Sequence, residues 1–307
     1  MDNINHTETH AITGAFGYSG SYIAKNLLEQ GKNVVTLTNN PGNHHELKNK
    51  IQIHPLDFNN KKQLAQSLQN IRVLYNTYWV RFNHRNFNHQ QAVVNTQTLF
   101  DAARTAGVQR IIHVSITNPS LDSPYSYFRG KAQLEQSLIS SGMQYAIIRP
   151  AVLFGGRDIL INNIAWLLKH SPLFAIFGNG QYKLQPIHVE DQAKLAVQLG
   201  NQTTNTITDA IGPETFTYEQ LVKVLIHILN IKRKIIHISP RTGLALSKIF
   251  NLITRDVVIT RDEIGGLMDN LLVTQSQPTG STRLTDWAQE HHQTLGKNYQ
   301  SELARRK

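Results

Sequence analysis

The 307-residue chain has no cysteine, which excludes disulfides, thiolate metal ligands and cysteine nucleophiles. No run approaches the ~18 to 20 uninterrupted apolar residues that a membrane-spanning helix needs. The opening stretch Met1 to His10 lacks the apolar centre of a secretory signal and the arginines of a transit peptide, which predicts a cytoplasmic protein. Acidic residues are scarce, with 21 Asp and Glu against 31 Lys and Arg, giving a net charge of +10. Charge of that sign steers anions. Outside Lys232-Arg233-Lys234 and Arg305-Arg306-Lys307, however, the basic residues are scattered. No basic stripe with interleaved aromatics is present, so nucleic acid is not an expected partner. The 14 histidines include the adjacent pairs His44-His45 and His291-His292, whereas two helical ligands on one face need i, i+4 spacing. No metal site is expected.

The glycines, by contrast, are placed with a purpose. Thr13-Gly14-Ala15-Phe16-Gly17-Tyr18-Ser19-Gly20 gives G-x-x-G-x-x-G between the apolar start Ala11-Ile12 and a helical pattern running from Ser21 to Gln30. A strand that turns at once into a helix, with phosphate oxygens packed on its backbone, leaves no room for side chains at the turn. The first N–H groups of the helix and its positive dipole end then face the pyrophosphate. Val34 to Thr38 follows as a second strand, the context that the motif requires.

Apolar runs of strand length then alternate with helical patterns. Ile51–His54, Ile71–Thr77, Arg110–Ile116 and Tyr145–Arg149 read as strands, separated by helices over Lys61–Leu68, Asn86–Ala106 and Tyr127–Ser141. Gly31, Gly107 and Gly142 sit where helix C-terminal caps belong. Repeated βα units predict an α/β fold with a Rossmann-type, doubly wound parallel sheet over residues 1–156. After Pro150 the alternation is irregular, and residues 157–307 read as a smaller, mostly helical substrate-side cap from which a segment at about 181–210 returns to the core.

Tyr127-Phe128-Arg129-Gly130-Lys131 is a Y-x-x-x-K. Its spacing puts phenol and ammonium on one helix face, where Lys131 lowers the pKa of Tyr127 from its usual ~10. Ser115 ends the preceding strand at the sheet edge where open α/β folds bind ligands. Thr117 is an alternative hydroxyl and Tyr125 an alternative phenol. Trp79, Arg81, Phe82, Trp166, Tyr182 and Gln185 are candidate pocket residues, each also readable as an ordinary amphipathic or core position, with core the better reading of Trp166.

Together, the glycine turn, Leu56-Asp57, Asn95, Val114-Ser115, Tyr127 with Lys131, Arg149-Pro150 and Ile187-His188-Val189-Glu190-Asp191 resemble the short-chain dehydrogenase/reductase superfamily over most of residues 10 to 200. The likeness is to its extended and atypical branches, which include nucleotide-sugar epimerases, NmrA-like regulators and the nucleotide-binding accessory subunit of respiratory complex I. The resemblance implies that Gly14, Ala15, Phe16, Gly17, Tyr18, Ser19 and Gly20 cradle a dinucleotide. It implies further that Asp57, with Phe58 beside it, meets the adenine, that Lys131 holds the nicotinamide ribose, and that Arg149-Pro150 lies beside the nicotinamide. Asn95 would support a water relay behind the lysine, while Ser115 and Tyr127 would polarise and protonate a substrate carbonyl.

Cofactor choice turns on Thr38-Asn39-Asn40-Pro41, where a carboxylate would hold the ribose hydroxyls of NAD and an arginine the phosphate of NADP. Neither is there. Asn39, Asn40 and His44 offer donors to a 2′-phosphate and nothing repels it, which points to NADP over NAD. Two functions follow: an NAD(P)-dependent oxidoreductase or epimerase acting on a small carbonyl or hydroxyl substrate, or a sensor or assembly subunit that holds NADP(H) without turnover. A homodimer is compatible with either.

Overall fold

The computed structural model describes residues 8–39, 42, 45–84, 86–245, 251 and 256–306. Two compact units emerge, one made of residues 1–149 with 192–208, the other of 150–191 with 209–307. The first boundary therefore falls at Pro150 instead of after residue 156. Its cause is a strand just past Pro150, β7 (Val152–Phe154), which pairs in parallel with β10 (Pro186–His188) of the second unit. The segment that returns to the first unit is 192–208, shorter than the expected 181–210.

The first unit is built from β1 (Thr9–Thr13), α1 (Tyr18–Glu29), β2 (Asn33–Leu37), β3 (Gln52–His54), α2 (Lys61–Gln66), β4 (Val73–Asn76), α3 (His89–Thr105), β5 (Arg110–Val114), α4 (Ser126–Ile139) and β6 (Gln144–Pro150). Most of α6 (Val189–Gly200) and of β11 (Thr206–Ala210) also belongs to it. The seven-stranded sheet has the order β11-β6-β5-β4-β1-β2-β3. Neighbours from β3 to β6 are parallel, with Ala11 opposite both Val35 and Leu74, and Ile111 opposite Tyr145. Strand order reverses between β1 and β4, the switch point at which open α/β sheets take ligands.

These strands form because β-branched and aromatic residues alternate between two buried faces. On one face Ala11, Leu37, Leu74, Ile111 and Ile147 pack with Leu64 of α2, Leu99 of α3 and Leu134 of α4 in a single core. Local chemistry starts the covering helices: the Asn60 side chain accepts from Gln63 N–H and the Asn88 side chain from Gln91 N–H.

The second unit has its own core of Phe154, Ile164, Leu168, Ile176, Leu221 and Leu225. Around it lie α5 (Leu160–His170), β8 (Leu173–Phe177), β9 (Lys183–Leu184), β12 (Phe216–Thr217), α7 (Tyr218–Ile228), β13 (Lys234–Ile238) and the helices Arg261–Met268 and Leu284–Glu290. Strands β8 and β13 pair in parallel. Capping boxes, Thr217 with Gln220 and Thr260 with Glu263, begin two of its helices. Among the described residues no helix is long and apolar enough to cross a membrane.

Candidate functional site

The glycine turn is closed tightly on itself. Gly14 has φ +71°, a left-handed conformation that favours glycine. Its carbonyl accepts the Gly17 N–H at 2.8 Å. A Cβ at Gly20 would stand 2.3 Å from that same carbonyl oxygen, and one at Gly17 would stand 3.1 Å away. Helix α1 can therefore begin against the strand end only with glycine at position 20. Its N-cap is Gly17, which has no side chain to offer, and its first turn contains no acid. Those terminal amides suit an anion, with no competing carboxylate in the first turn of their own helix. Ala15 N–H is already taken, at 3.0 Å, by the hydroxyl of Thr36 on β2, which locks the turn to the neighbouring strand. Phe16 lies against the ring of His45, with centroids 5.2 Å apart. Tyr18 and Ser19 open the helix, and Tyr18 meets Tyr22 edge-on.

Past β2, the Asn39 amide is committed to the backbone of Leu56: Nδ2 donates to the carbonyl at 2.9 Å and Oδ1 accepts the N–H at 3.3 Å. Asn39 thus brackets the ends of β2 and β3. Asn40 and His44 lie outside the described residues. Asp57 accepts the Asn59 N–H at 2.9 Å in a local turn. Phe58 packs on Tyr78 with centroids 4.8 Å apart, and the Tyr78 hydroxyl accepts from Asn95 Nδ2 at 2.8 Å. The Asn95 carbonyl oxygen accepts from Gln91. Asn95 therefore anchors the loop after β4.

The lysine reaches the end of β5, and the phenol lies one turn before it on α4. Lys131 is buried on α4, and its Nζ donates at 2.6 Å to the carbonyl of Val114, the residue before Ser115. Ser115 Oγ is buried with no hydrogen-bond partner. Tyr127 is half-buried one turn before Lys131, edge-on to Trp79 and to His89. Burial pushes the Lys131 ammonium down to about 7, opposed by the charge of Glu135 one turn further along α4. Glu135 is itself held by Arg149, whose Nε lies 3.0 Å from one carboxylate oxygen and Nη2 2.5 Å from the other. Arg149 thus serves the carboxylate that faces the lysine, and Pro150 closes β6.

Thr117 is buried, and Tyr125 stands at the N-cap of α4 in extended backbone with its ring toward Phe128. Phe82 is 2% exposed and belongs to the core. His188 sits against Phe154 and Trp287 in the second unit, and Asp191 accepts the Ser281 and Thr282 N–H groups.

Sequence reasoning missed the polar row beneath this cluster. Thr13 Oγ donates to Asn76 Oδ1 at 3.1 Å, and Asn76 Oδ1 also accepts the Tyr78 N–H. The Asn76 amide nitrogen therefore faces His113 Nδ1, 3.0 Å away. That ring nitrogen accepts, so the proton of a neutral His113 sits on Nε2. Burial and the nearby Lys131 keep His113 well below the usual histidine range. The signal was faint: polar residues within apolar strands, at Thr13, Asn76 and His113.

Similarity to known proteins fits this geometry. A family model described as NAD(P)H-binding matches residues 14–162. The family model, the relatives and the solved structures below together support the extended short-chain dehydrogenase/reductase-type superfamily. It is 26% identical over 268 residues to the 40 kDa subunit of NADH-ubiquinone oxidoreductase from Neurospora crassa, covering 84% of this chain and 70% of the fungal protein. It is 30% identical over 224 residues to the mitochondrial NADH dehydrogenase 1 alpha subcomplex subunit 9 of Rattus norvegicus, covering 67% of this chain and only 55% of that protein. Among solved structures, triphenylmethane reductase from Citrobacter sp., complexed with NADP(H), superposes with a TM-score of 0.75 at 15% identity, over 92% of this chain and 99% of the other. An NADPH-dependent quinone oxidoreductase from Escherichia coli gives a TM-score of 0.76 at 20% identity, over 92% and 98%. The chain thus has an NAD(P)H-binding domain on a fold shared with reductases and epimerases.

Proposed function

We propose that the chain is an NADP(H)-dependent oxidoreductase or epimerase whose substrate is a small carbonyl or hydroxyl compound. The observation that carries this reading is the buried, unpartnered Ser115 hydroxyl, next in the chain to the Val114 carbonyl that holds Lys131, with Tyr127 one helical turn before that lysine on α4. An unpaired buried hydroxyl has a standing energetic cost, which a substrate oxygen would relieve. Gly14 to Gly20 would hold the pyrophosphate, and the loops bearing Asn39, Asp57 and Phe58 would flank the adenosine. A bound nicotinamide would supply or accept a hydride.

The chain's own residues handle the proton. Tyr127 would give its phenolic proton to the substrate oxygen in reduction and take it back in oxidation, with Ser115 donating a hydrogen bond to the same oxygen. Lys131, close to its own neutral point, would favour the phenolate by charge. Glu135 and Arg149 would hold that lysine in place. Subunit 9-type relatives suggest a second reading, in which the nucleotide is bound for assembly or sensing, and the engagement of Lys131 by a backbone carbonyl favours it. The proposed compartment is the cytoplasm, testable by fractionation of cells expressing a tagged chain, although these relatives are named as mitochondrial.

The test is NADPH consumption against a panel of aldehydes, ketones and quinones, run alongside Ser115→Ala. The enzyme reading predicts turnover of at least one compound and a loss of roughly 10-fold or more in Ser115→Ala with NADPH affinity unchanged. Nucleotide that co-purifies with the chain, together with no turnover across the panel, would support the second reading.

A further inference from the structure

Trp79 lies on the loop after β4, and what holds its ring is unusual. The indole N–H is buried with no acceptor, so a hydrogen bond does not fix the ring. It is held instead by its faces and edge. Lys131 Nζ lies 4.6 Å from the ring centroid. His89 stacks on it at 5.6 Å with the planes only 2° apart, and Tyr127 meets it edge-on at 5.7 Å. Beneath it α4 carries Gly130, where a Cβ would stand 2.8 Å from Trp79 Cη2. Glycine inside a helix is unfavourable, and here its place is explained by the indole seated on it.

We propose that Trp79 is the positioning residue of this site: its π face holds the Lys131 ammonium against the end of β5, while its edge fixes the Tyr127 ring, so one side chain sets the relation between phenol and lysine. This inference rests on the proposed function for its consequence, though the pairing itself is testable without a substrate. A buried ammonium in dry surroundings loses water, and an aromatic face is one of the few uncharged groups that compensates it. Glu135 on α4 and the Val114 carbonyl on β5 are its other favourable neighbours, and His113 on β5 opposes it. Arg149 on β6 pairs with that same Glu135. His89 on α3 touches the indole, with its Nδ1 2.8 Å from Ser126 Oγ.

The experiment reads the indole directly. A protonated ammonium over its face quenches indole emission, so the fluorescence of the full-length protein, less that of Trp79→Phe, isolates Trp79 from Trp166 and Trp287. The expected result is a rise in Trp79 emission as pH increases through about 7, where Lys131 loses its proton. Lys131→Met should abolish the step, His89→Gln should keep it, and Gly130→Ala, which pushes the ring off its seat, should shrink it in a protein that still melts cooperatively. A step that survives Lys131→Met belongs to His89 and overturns the proposal, as does a Trp79 signal flat from pH 6 to 9. Should the step behave as expected while Tyr127→Phe costs nothing in any assay, the pairing stands and the enzymatic reading falls.

Discussion

At the scale of single residues, the glycine turn and Lys131 have the sharpest consequences. Gly20→Ala sets a Cβ 2.3 Å from the Gly14 carbonyl oxygen, which neither backbone can avoid without moving α1 off β1. The expected loss is on the order of 1–3 kcal/mol of stability, as for other overpacked sites, accompanied by weakened NADPH binding. Urea unfolding and equilibrium dialysis measure the two, and a normal Kd in Gly20→Ala would remove the turn from the binding site. Lys131 gives a pH dependence. Its pKa is about 7 in the fold against an ordinary 10.5, so between those values the unfolded chain binds a proton that the folded chain lacks. Stability contributed through this group therefore rises with pH across that window and is lost as pH falls toward 7, with a limiting slope of roughly 1.4 kcal/mol per pH unit. Lys131→Met should flatten the curve between pH 7.5 and 9.5 by one proton's worth. An unchanged slope would mean that Lys131 is ordinarily protonated in the fold.

At the scale of elements, the Thr13, Asn76 and His113 row ties β1, β4 and β5 together at the switch point. Asn76→Ala strands His113 Nδ1 and leaves the Thr13 hydroxyl with only the Tyr75 carbonyl at 3.5 Å, while the Tyr78 N–H keeps Thr13 Oγ at 3.0 Å, so a loss of roughly 1–3 kcal/mol is expected. Asn76→Asp, which keeps only the acceptor, should recover part of it in thermal melts; no loss in Asn76→Ala would show the row to be incidental. The strands carrying these residues were legible in the sequence because strand periodicity and helix punctuation are local: β4 and β5 fall within the apolar runs that predict them, and β1, β2 and β6 overlap theirs, reaching one or two residues beyond. Strand β11, Thr-Ile-Thr-Asp-Ala, was not, since its largely polar composition reads as loop and the sheet edge alone makes it a strand. The Y-x-x-x-K was legible as a helical spacing. The engagement of Asn39 by Leu56 was not, because a pairing between two strand ends leaves no periodic trace. Trp79 was legible as a candidate pocket or core aromatic, but its meeting with Lys131 was not, since that depends on how the loop after β4 meets α4. The sequence argument about Asn39 accordingly changes its test: Asn39→Asp removes the donor to the Leu56 carbonyl, so NADPH affinity and melting temperature should fall together.

At the scale of the whole molecule, the net charge of +10 acts on any anionic ligand whichever residues contact it. Screening shortens its reach from about 30 Å at 0.01 M salt to about 3 Å at 1 M. NADPH association should slow several-fold over that range and slow more than NADH association, because the extra phosphate adds charge. Stopped-flow binding measures both, and equal salt dependence for the two nucleotides would show that the charge does not favour NADP(H).

The central claim is that Tyr127 moves a proton in a site built to bind NADP(H). Tyr127→Phe tests it most directly, because it keeps the ring and its edge contacts with Trp79 and His89 while removing the acid. Turnover of the best substrate and NADPH affinity are measured side by side on the wild type and this variant. The predicted result is a loss on the order of 100-fold or more in kcat with NADPH Kd changed less than about twofold; full turnover in Tyr127→Phe would contradict the account.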